Sequence, residues 1–379
     1  MKKLGLTIFF DVFVLMLLGL TMVMTASSTY SVFKFDNVFY LFNSHLFKVF
    51  LGIGAIVLFA FIPYEYYRRL SKPIIILTTI LLIVTLFFAP DIKGAGRWLN
   101  FGIFSIQPAD IAKLVLIIHL AVLLEAKVHL IDNYKNGFLY FFFWILLISG
   151  LIMLQPNISS GVMLIVISLA VIYAAGAKFK HIFVSMILSG FVIGTAAMIF
   201  RHSRLRIFDF VNSVSSGGDL NYQVKQALYS LGSGGIFGVG IGNSMQNNLF
   251  LPEAYGDFIF AILGEEFGLI GSIAVLLAYL VFMVCGMQVA KKSKDMFGQL
   301  LAFGITLSIV LYAFVNVAVT TGVFPTTGLP LPFISYGGTS LIFLCVSVGI
   351  LINIALTNHL RQNGVVHVPD QNAVEGIGR

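Results

Sequence analysis

Residues 74–89 read Ile74-Ile-Ile-Leu-Thr-Thr-Ile-Leu-Leu-Ile-Val-Thr-Leu-Phe-Phe-Ala89, without one charged side chain. A helix of this composition has no polar face to turn to water, so it does not suit the surface of a soluble domain. Runs of spanning length recur at about 8–27, 46–63, 74–89, 108–125, 138–154, 159–175, 181–199, 257–289, 298–321 and 334–356. They predict an all-α integral membrane protein of about ten transmembrane helices. Composition agrees: 59% of the 379 residues are hydrophobic and 10% charged, against about 25% charged in a soluble domain. The mean hydropathy is +0.98.

The net charge of +7 does not point to nucleic acid. The cations lie in short clusters between apolar runs, as topology signals do, with no basic groove interleaved with stacking aromatics. Cys285 and Cys345 fall inside apolar runs and read as inert buried side chains. Met1-Lys-Lys and the apolar run after it read as an uncleaved first helix, since more spans follow. With Met1 in the cytoplasm, inside segments hold fourteen Lys and Arg and outside segments eight. Both termini are then cytoplasmic. The membrane domain covers 1–361, with one long extracytoplasmic loop at about 200–256, and 362–379 is a polar cytoplasmic tail.

Inside loops are short and basic, whereas outside segments are richer. Residues 90–107 contain Gly94-Ala-Gly-Arg-Trp98, and residues 322–333 are crowded with Pro and Gly. A Pro/Gly stretch between spans is either a plain turn or a re-entrant segment lining a cavity. The neighbouring Asn316, Thr320, Ser335, Tyr336 and Thr339 favour the cavity. The run Gly232-Ser-Gly-Gly-Ile-Phe-Gly-Val-Gly-Ile-Gly242 looks like a nucleotide loop but has no βαβ context and no following Lys-Ser/Thr. It reads as flexible backbone near a cavity. No internal repeat is obvious, which disfavours an inverted-repeat transporter.

A charge inside the membrane costs about 2.5–3.5 kcal/mol on insertion scales, so each needs a reason. Asp11 and Glu125 lie near cytoplasmic helix ends and can reach the interface. Asp110 and Lys113, spaced i, i+3, share a helix face, either as a structural ion pair or as part of a substrate site. Asp257 sits where the long loop enters the eighth span, between Leu251-Pro-Glu-Ala-Tyr-Gly256 and Phe258-Ile-Phe-Ala-Ile-Leu263. Partly desolvated there, it suits either a general base or a helix N-cap. Glu265 follows about 12 Å along the helix, too far for a glycosidase carboxylate pair. Glu265 and Glu266 therefore read as groups that pack helices or support a site. Arg201, Arg204, Arg206 and Lys225 in the loop, and Arg97 beside Trp98, suit lipid phosphates or a plain interfacial anchor.

Six motifs occur in order: Gly96-Arg-Trp98; Gln107-Pro-Ala-Asp-Ile-Ala-Lys113; Gln155-Pro-Asn-Ile-Ser-Ser-Gly161; Tyr222-Gln-Val-Lys-Gln-Ala227; Leu251-Pro-Glu-Ala-Tyr-Gly-Asp-Phe-Ile-Phe-Ala261 with Glu265-Glu266; and Gly328-Leu-Pro-Leu-Pro-Phe-Ile-Ser-Tyr-Gly-Gly338. Together they resemble the SEDS family (shape, elongation, division and sporulation), membrane glycosyltransferases that polymerise bacterial peptidoglycan. Gly242-Asn-Ser-Met-Gln246 and Leu251-Pro-Glu-Ala254 bring the chain closer to the cell-division branch, FtsW-like, than to the rod-shape branch, RodA-like. Three positions depart from the family's habit. Asp110 stands where Glu is usual, Asn157 where an acid is usual, and Tyr255-Gly256 where His-Thr is frequent.

The resemblance implies the following. The substrate is lipid II, a disaccharide-pentapeptide on undecaprenyl diphosphate, and Asp257 is the catalytic general base. Arg97, Trp98, Asp110, Lys113, Arg204, Arg206, Lys225, Glu253 and Tyr336 are the substrate-binding set. A divalent cation, magnesium or manganese, is allowed, although the sequence shows no dedicated metal cage. Partners are membrane lipids, a class B penicillin-binding protein that cross-links the glycan, and other division proteins. The location is the cytoplasmic (inner) membrane at the division septum, multi-pass, with the active site on the extracytoplasmic face. The competing readings are a lipid II flippase or transporter, a rod-shape elongation polymerase of the same family, and a non-catalytic scaffold.

Overall fold

The computed structural model describes residues 1–90, 96–100, 105–216, 221–246 and 250–362. The polar tail from 363 on, Lys93 and Gly94 lie outside the described residues, as does the side chain of Arg201. Each of the ten apolar runs forms a helix: α1 (Lys2–Phe35), α2 (Tyr40–Phe61), α3 (Glu65–Phe88), α4 (Pro108–Lys127), α5 (Leu139–Leu154), α6 (Ile158–Ala174), α7 (Phe179–Ile199), α10 (Ile259–Lys292), α11 (Met296–Thr320) and α12 (Thr339–Gln362). Seven are long and apolar enough to cross a membrane by themselves. Of the others, α4 carries Asp110, Lys113, Glu125 and Lys127. The apolar α5 and α6 are shorter, and α5 is preceded by a π-turn over Tyr134–Phe138. A two-stranded hairpin, β1 (Leu99–Asn100) with β2 (Ser105–Ile106), precedes α4.

The long loop holds two helices that hydropathy does not show, α8 (Arg201–Ser216) and α9 (Tyr222–Gly234). Asn221 starts α9 by accepting from Gln223 N at 3.1 Å. The glycine run at the end of α9 and beyond it pairs with α10. Helix α10 is broken at Gly268 (φ 69°, ψ −163°). In an unbroken helix Glu265 O would accept from Leu269 N, and Glu266 O from Ile270 N. Here Glu265 O accepts from Val239 N at 2.9 Å and Glu266 O from Gly240 N at 3.1 Å. Leu269 N donates to Gly235 O at 2.9 Å and Ile270 N to Ile236 O at 3.3 Å. The two segments have exchanged helical hydrogen bonds, so these four donors and four acceptors stay paired across the break.

The exchange follows a local repeat that the sequence reading missed, Gly234-Gly-Ile-Phe-Gly-Val239 against Gly264-Glu-Glu-Phe-Gly-Leu269. Gly238 (φ 82°) and Gly268 occupy equivalent places and both need positive φ. The side chain of Glu265 pins the crossing. It accepts from Ser230 Oγ at 2.7 Å, Ser244 Oγ at 2.6 Å and Met245 N at 3.0 Å. Glu266 accepts from Thr25 Oγ1 of α1 at 3.1 Å. Both acids thus hold helices together, as the sequence suggested.

At the opposite end of the bundle, Glu125 does not merely reach an interface. Arg68 pairs with Glu125 at 2.9 Å and with Asp295 at 3.1 Å, and Arg361 pairs with Asp295 at 3.0 Å and with Glu65. This network ties α3, α4, α11 and α12.

Candidate active site

The site is built on the stretch 321–338 between α11 and α12, the cavity alternative of the Pro/Gly reading. Residues 331–335 are buried, so this backbone re-enters the bundle. It approaches α1 where Gly19 leaves room: a Cβ there would stand 2.5 Å from Phe333 O. Ser335 Oγ donates to Gly256 O at 2.7 Å, and Tyr336 N donates to Tyr255 O at 2.9 Å. From behind, Asn316 Nδ2 of α11 donates to the backbone oxygens of Asp257 and Leu329 at 2.7 and 2.8 Å. The main chain around Asp257 is therefore fixed from two elements.

Asp257 is not the N-cap of α10. That position belongs to Phe258, which makes no side-chain cap bond. The half-buried carboxylate faces a cavity of about 870 Å³. Arg97, Trp98, Asp110, Lys113, Glu253 and Tyr336 line the same cavity, with Asn157 and Gly328. A Cβ at Gly328 (φ 71°) would stand 3.3 Å from Asp257 Oδ2 and 3.6 Å from Arg206 Nη1, so the carboxylate and guanidinium flank this glycine.

Arg97 is held by the carbonyls of Gln155, at 3.2 Å, and of Pro156. Burial lowers the pKa of its guanidinium, the charge of Arg206 lowers it further, and Asp257 opposes both. Burial lowers that of Arg206 as well, again against Asp257. Both guanidiniums feel the charge of the one carboxylate, Asp257.

Asp110 and Lys113 make the ion pair the sequence allowed, at 2.7 Å, and also line the cavity, so the two readings coincide. The Lys113 ammonium lies 4.7 Å from the Tyr312 ring centroid. Asn157, where the acid is missing, caps α6 by accepting from Ser160 N at 3.4 Å. Trp98 lies on Gly338, whose Cβ would meet the indole at 3.1 Å.

Arg206 is not in the cavity wall and reaches the site only beside Gly328. Two other expected residues are not brought in at all. Arg204 is exposed on α8 and does not line the cavity. Two residues along a helix is more than half a turn, so α8 cannot aim Arg204 and Arg206 the same way. Lys225 lies on α9, whose buried residues include its neighbours Val224 and Ala227, and is not part of the cavity wall. Conversely, Lys34, Lys48 and Tyr255 line the cavity although the sequence reading gave them no site role. The available signal was their place at the same end of the bundle as Asp257.

A family model described as cell cycle protein, covering FtsW, RodA and SpoVE, matches residues 6–360. The chain belongs to the SEDS family, FtsW type. Among relatives of this SEDS protein, a probable peptidoglycan glycosyltransferase FtsW of Geobacter metallireducens is 35% identical, over 89% of this chain and 90% of its own. Stage V sporulation protein E of Bacillus subtilis is 35% identical, over 90% and 94%. Of solved structures, a chain of a peptidoglycan synthase complex that coordinates polymerization and crosslinking superposes with a TM-score of 0.75 at 22% identity, over 93% and 97%. Rod shape determining protein RodA of Thermus thermophilus gives 0.67 at 22%, over 93% and 96%. These two likenesses carry the fold of the SEDS protein and leave its chemistry to the site.

Proposed function

We propose that this SEDS protein is a peptidoglycan glycosyltransferase that polymerises lipid II for septal wall synthesis, with Asp257 as general base. The observation that carries the reading is the placement of Asp257: one residue before the N-cap of α10, half-buried, beside Arg206, in a large cavity that also holds Arg97 and Lys113.

The step balances without an external nucleotide. Asp257 takes the proton of the sugar 4-hydroxyl of one substrate. That oxygen bonds to the anomeric carbon of the other as the bond to its diphosphate breaks. The configuration inverts, and the bonding electrons leave on the diphosphate. Arg206 and Arg97 stabilise the charge that grows there. Asp110 holds Lys113 in place at the cavity wall. A divalent cation, magnesium or manganese, would neutralise phosphate charge. Among the described residues no three His, Cys, Asp or Glu converge on a metal. Were such an ion bound, it would be held chiefly by the substrate diphosphate, with Glu253 the cavity carboxylate that could join it.

The excess of Lys and Arg in the other loops supports an extracytoplasmic active site in the inner membrane. A class B penicillin-binding protein is the partner this function calls for.

The test is glycan formation from lipid II in liposomes, with the partner's transpeptidase blocked by a β-lactam. Wild type makes long strands, and Asp257→Asn, equally inserted, loses roughly 10²–10⁴-fold in rate. An active Asp257→Asn protein would refute the general base. No strands from either, with lipid II crossing the bilayer, would make the protein a flippase.

A further inference from the structure

The reaction just described consumes two lipid-linked saccharides, and each carries a diphosphate. Their diphosphates have different geometric requirements. The one that leaves is bonded to the reacting carbon, so its cations must stand beside Asp257, as Arg206 and Arg97 do. The other belongs to the substrate whose hydroxyl attacks. That hydroxyl is on the sugar farther from its own diphosphate. The cations for the second diphosphate must therefore share the cavity but stand one disaccharide away from the base.

Lys34 of α1 and Lys48 of α2 also line that cavity, from helices that carry neither Arg97 nor Arg206. Among the described residues, neither lysine has a carboxylate partner in an ion pair. Lys34 Nζ donates to Tyr30 Oη at 3.1 Å, and Lys48 Nζ donates to Tyr336 Oη at 3.2 Å. A phenol oxygen orients an ammonium without the full countercharge of a carboxylate, so both cations keep their attraction for an anion.

Between these lysines and the base runs an aromatic shelf. Tyr30 and Tyr255 have ring centroids 5.1 Å apart, and Tyr255 and Tyr336 5.8 Å apart. Tyr255 is two residues from Asp257. The apolar C–H faces of a pyranose pack on such rings, which keeps the hydroxyl edge free. Beside Lys48, Phe47 and Leu51 line the cavity and are also 65% and 46% exposed, so here the cavity borders the lipid-facing surface. A polyprenyl chain can leave along them.

We propose that the α1–α2 wall, Lys34 and Lys48 with the Tyr30–Tyr255–Tyr336 shelf, is the seat of the hydroxyl-supplying substrate, and that its diphosphate rests on the two lysines. The inference rests on the glycosyltransferase reading and adds to it where the second substrate binds. Lys34 and Lys48 act on binding and touch no reacting bond.

The experiment has two arms. In the first, initial rates of glycan formation are measured against lipid II concentration. Lys34→Met and Lys48→Met keep the alkyl stem and remove the charge. Each is expected to raise KM roughly tenfold or more, the scale of one charged hydrogen bond, with kcat changed by far less. Lys48→Arg restores most of the wild-type KM. In the second, native mass spectrometry counts lipid II on the non-turning Asp257→Asn protein. Two molecules per chain are expected, and one when both lysines are replaced by Met. A KM and a count both unmoved by the double replacement, in a protein that makes glycan, would overturn the second subsite and leave the glycosyltransferase standing. A wild type that makes no glycan would overturn both.

Discussion

Replacing Gly268 by Ala tests the reason α10 can break within its span. At φ 69° and ψ −163° the backbone lies in a region essentially reserved for glycine. An L-residue there costs about 1–3 kcal/mol before any contact is counted. The added Cβ would stand 2.4 Å from both Gly238 N and Ile236 O, main-chain atoms with no torsion to swing away. The two segments must separate, and the four exchanged hydrogen bonds lengthen together. Each is worth about 0.5–1.5 kcal/mol, more if its groups are left without a partner in the membrane. The sum, about 3–9 kcal/mol, is comparable to the whole stability of a domain. Gly232→Ala is the control, because a Cβ there meets nothing within 4 Å and Ala suits a helix better than Gly by about 1 kcal/mol. Thermal unfolding in one detergent, with monodisperse yield as a second readout, should show Gly268→Ala strongly destabilised and Gly232→Ala equal to wild type or better. A Gly268→Ala protein that unfolds with wild type would mean the exchanged pairing does not hold the crossing together.

The other predictions concern the cavity and its supports. Gly328→Ala places a methyl between Asp257 Oδ2 and Arg206 Nη1 at a positive φ. A displaced base on the order of 1 Å costs roughly 10²-fold in rate, so kcat should fall by that scale in a protein that still inserts, as single-turnover rates would show. Asp110→Ala strands Lys113 in a site where the pair is largely buried and should cost about 3–5 kcal/mol. Asp110→Glu keeps the charge and should keep both fold and activity; equal damage from Glu would show that the shorter acid is required. Glu265→Gln puts an amide donor among Ser230, Ser244 and Met245 N, which all donate. It should lower stability by about 1–3 kcal/mol, read from the unfolding midpoint, with KM for lipid II unchanged in the folded fraction.

Asp257 was a base or a cap by local rules alone, because both roles want a carboxylate at a helix entrance. The structure removes the second by starting α10 at Phe258 and Ile259. The glycine run was placed near the cavity because glycine reports only that backbone is unusual. Its partner, Gly264 to Leu269, lies inside a stretch whose hydropathy reads as plain span, so the exchange was hidden. In sequence, Lys34 and Lys48 are topology charges, which carry no information about what else they face. Arg204 and Arg206 were indistinguishable until α8 set them on different sides of one helix.

What the chain determined by itself was the solvent it folds in and the order of its spans. Both depend on transfer free energy summed along contiguous residues, a local quantity that needs no partner. The six motifs likewise marked the family, since they are local strings. Which polar side chains share one cavity was decided only by tertiary structure. That assembly needed the re-entrant 321–338 segment under Gly256 and Asp257, the turn of α8 toward Gly328, and the approach of α1 and α2 to Tyr336. Each of these is a contact between segments far apart in sequence, set by packing and by the need to satisfy every buried backbone group, and no local window of residues carries it.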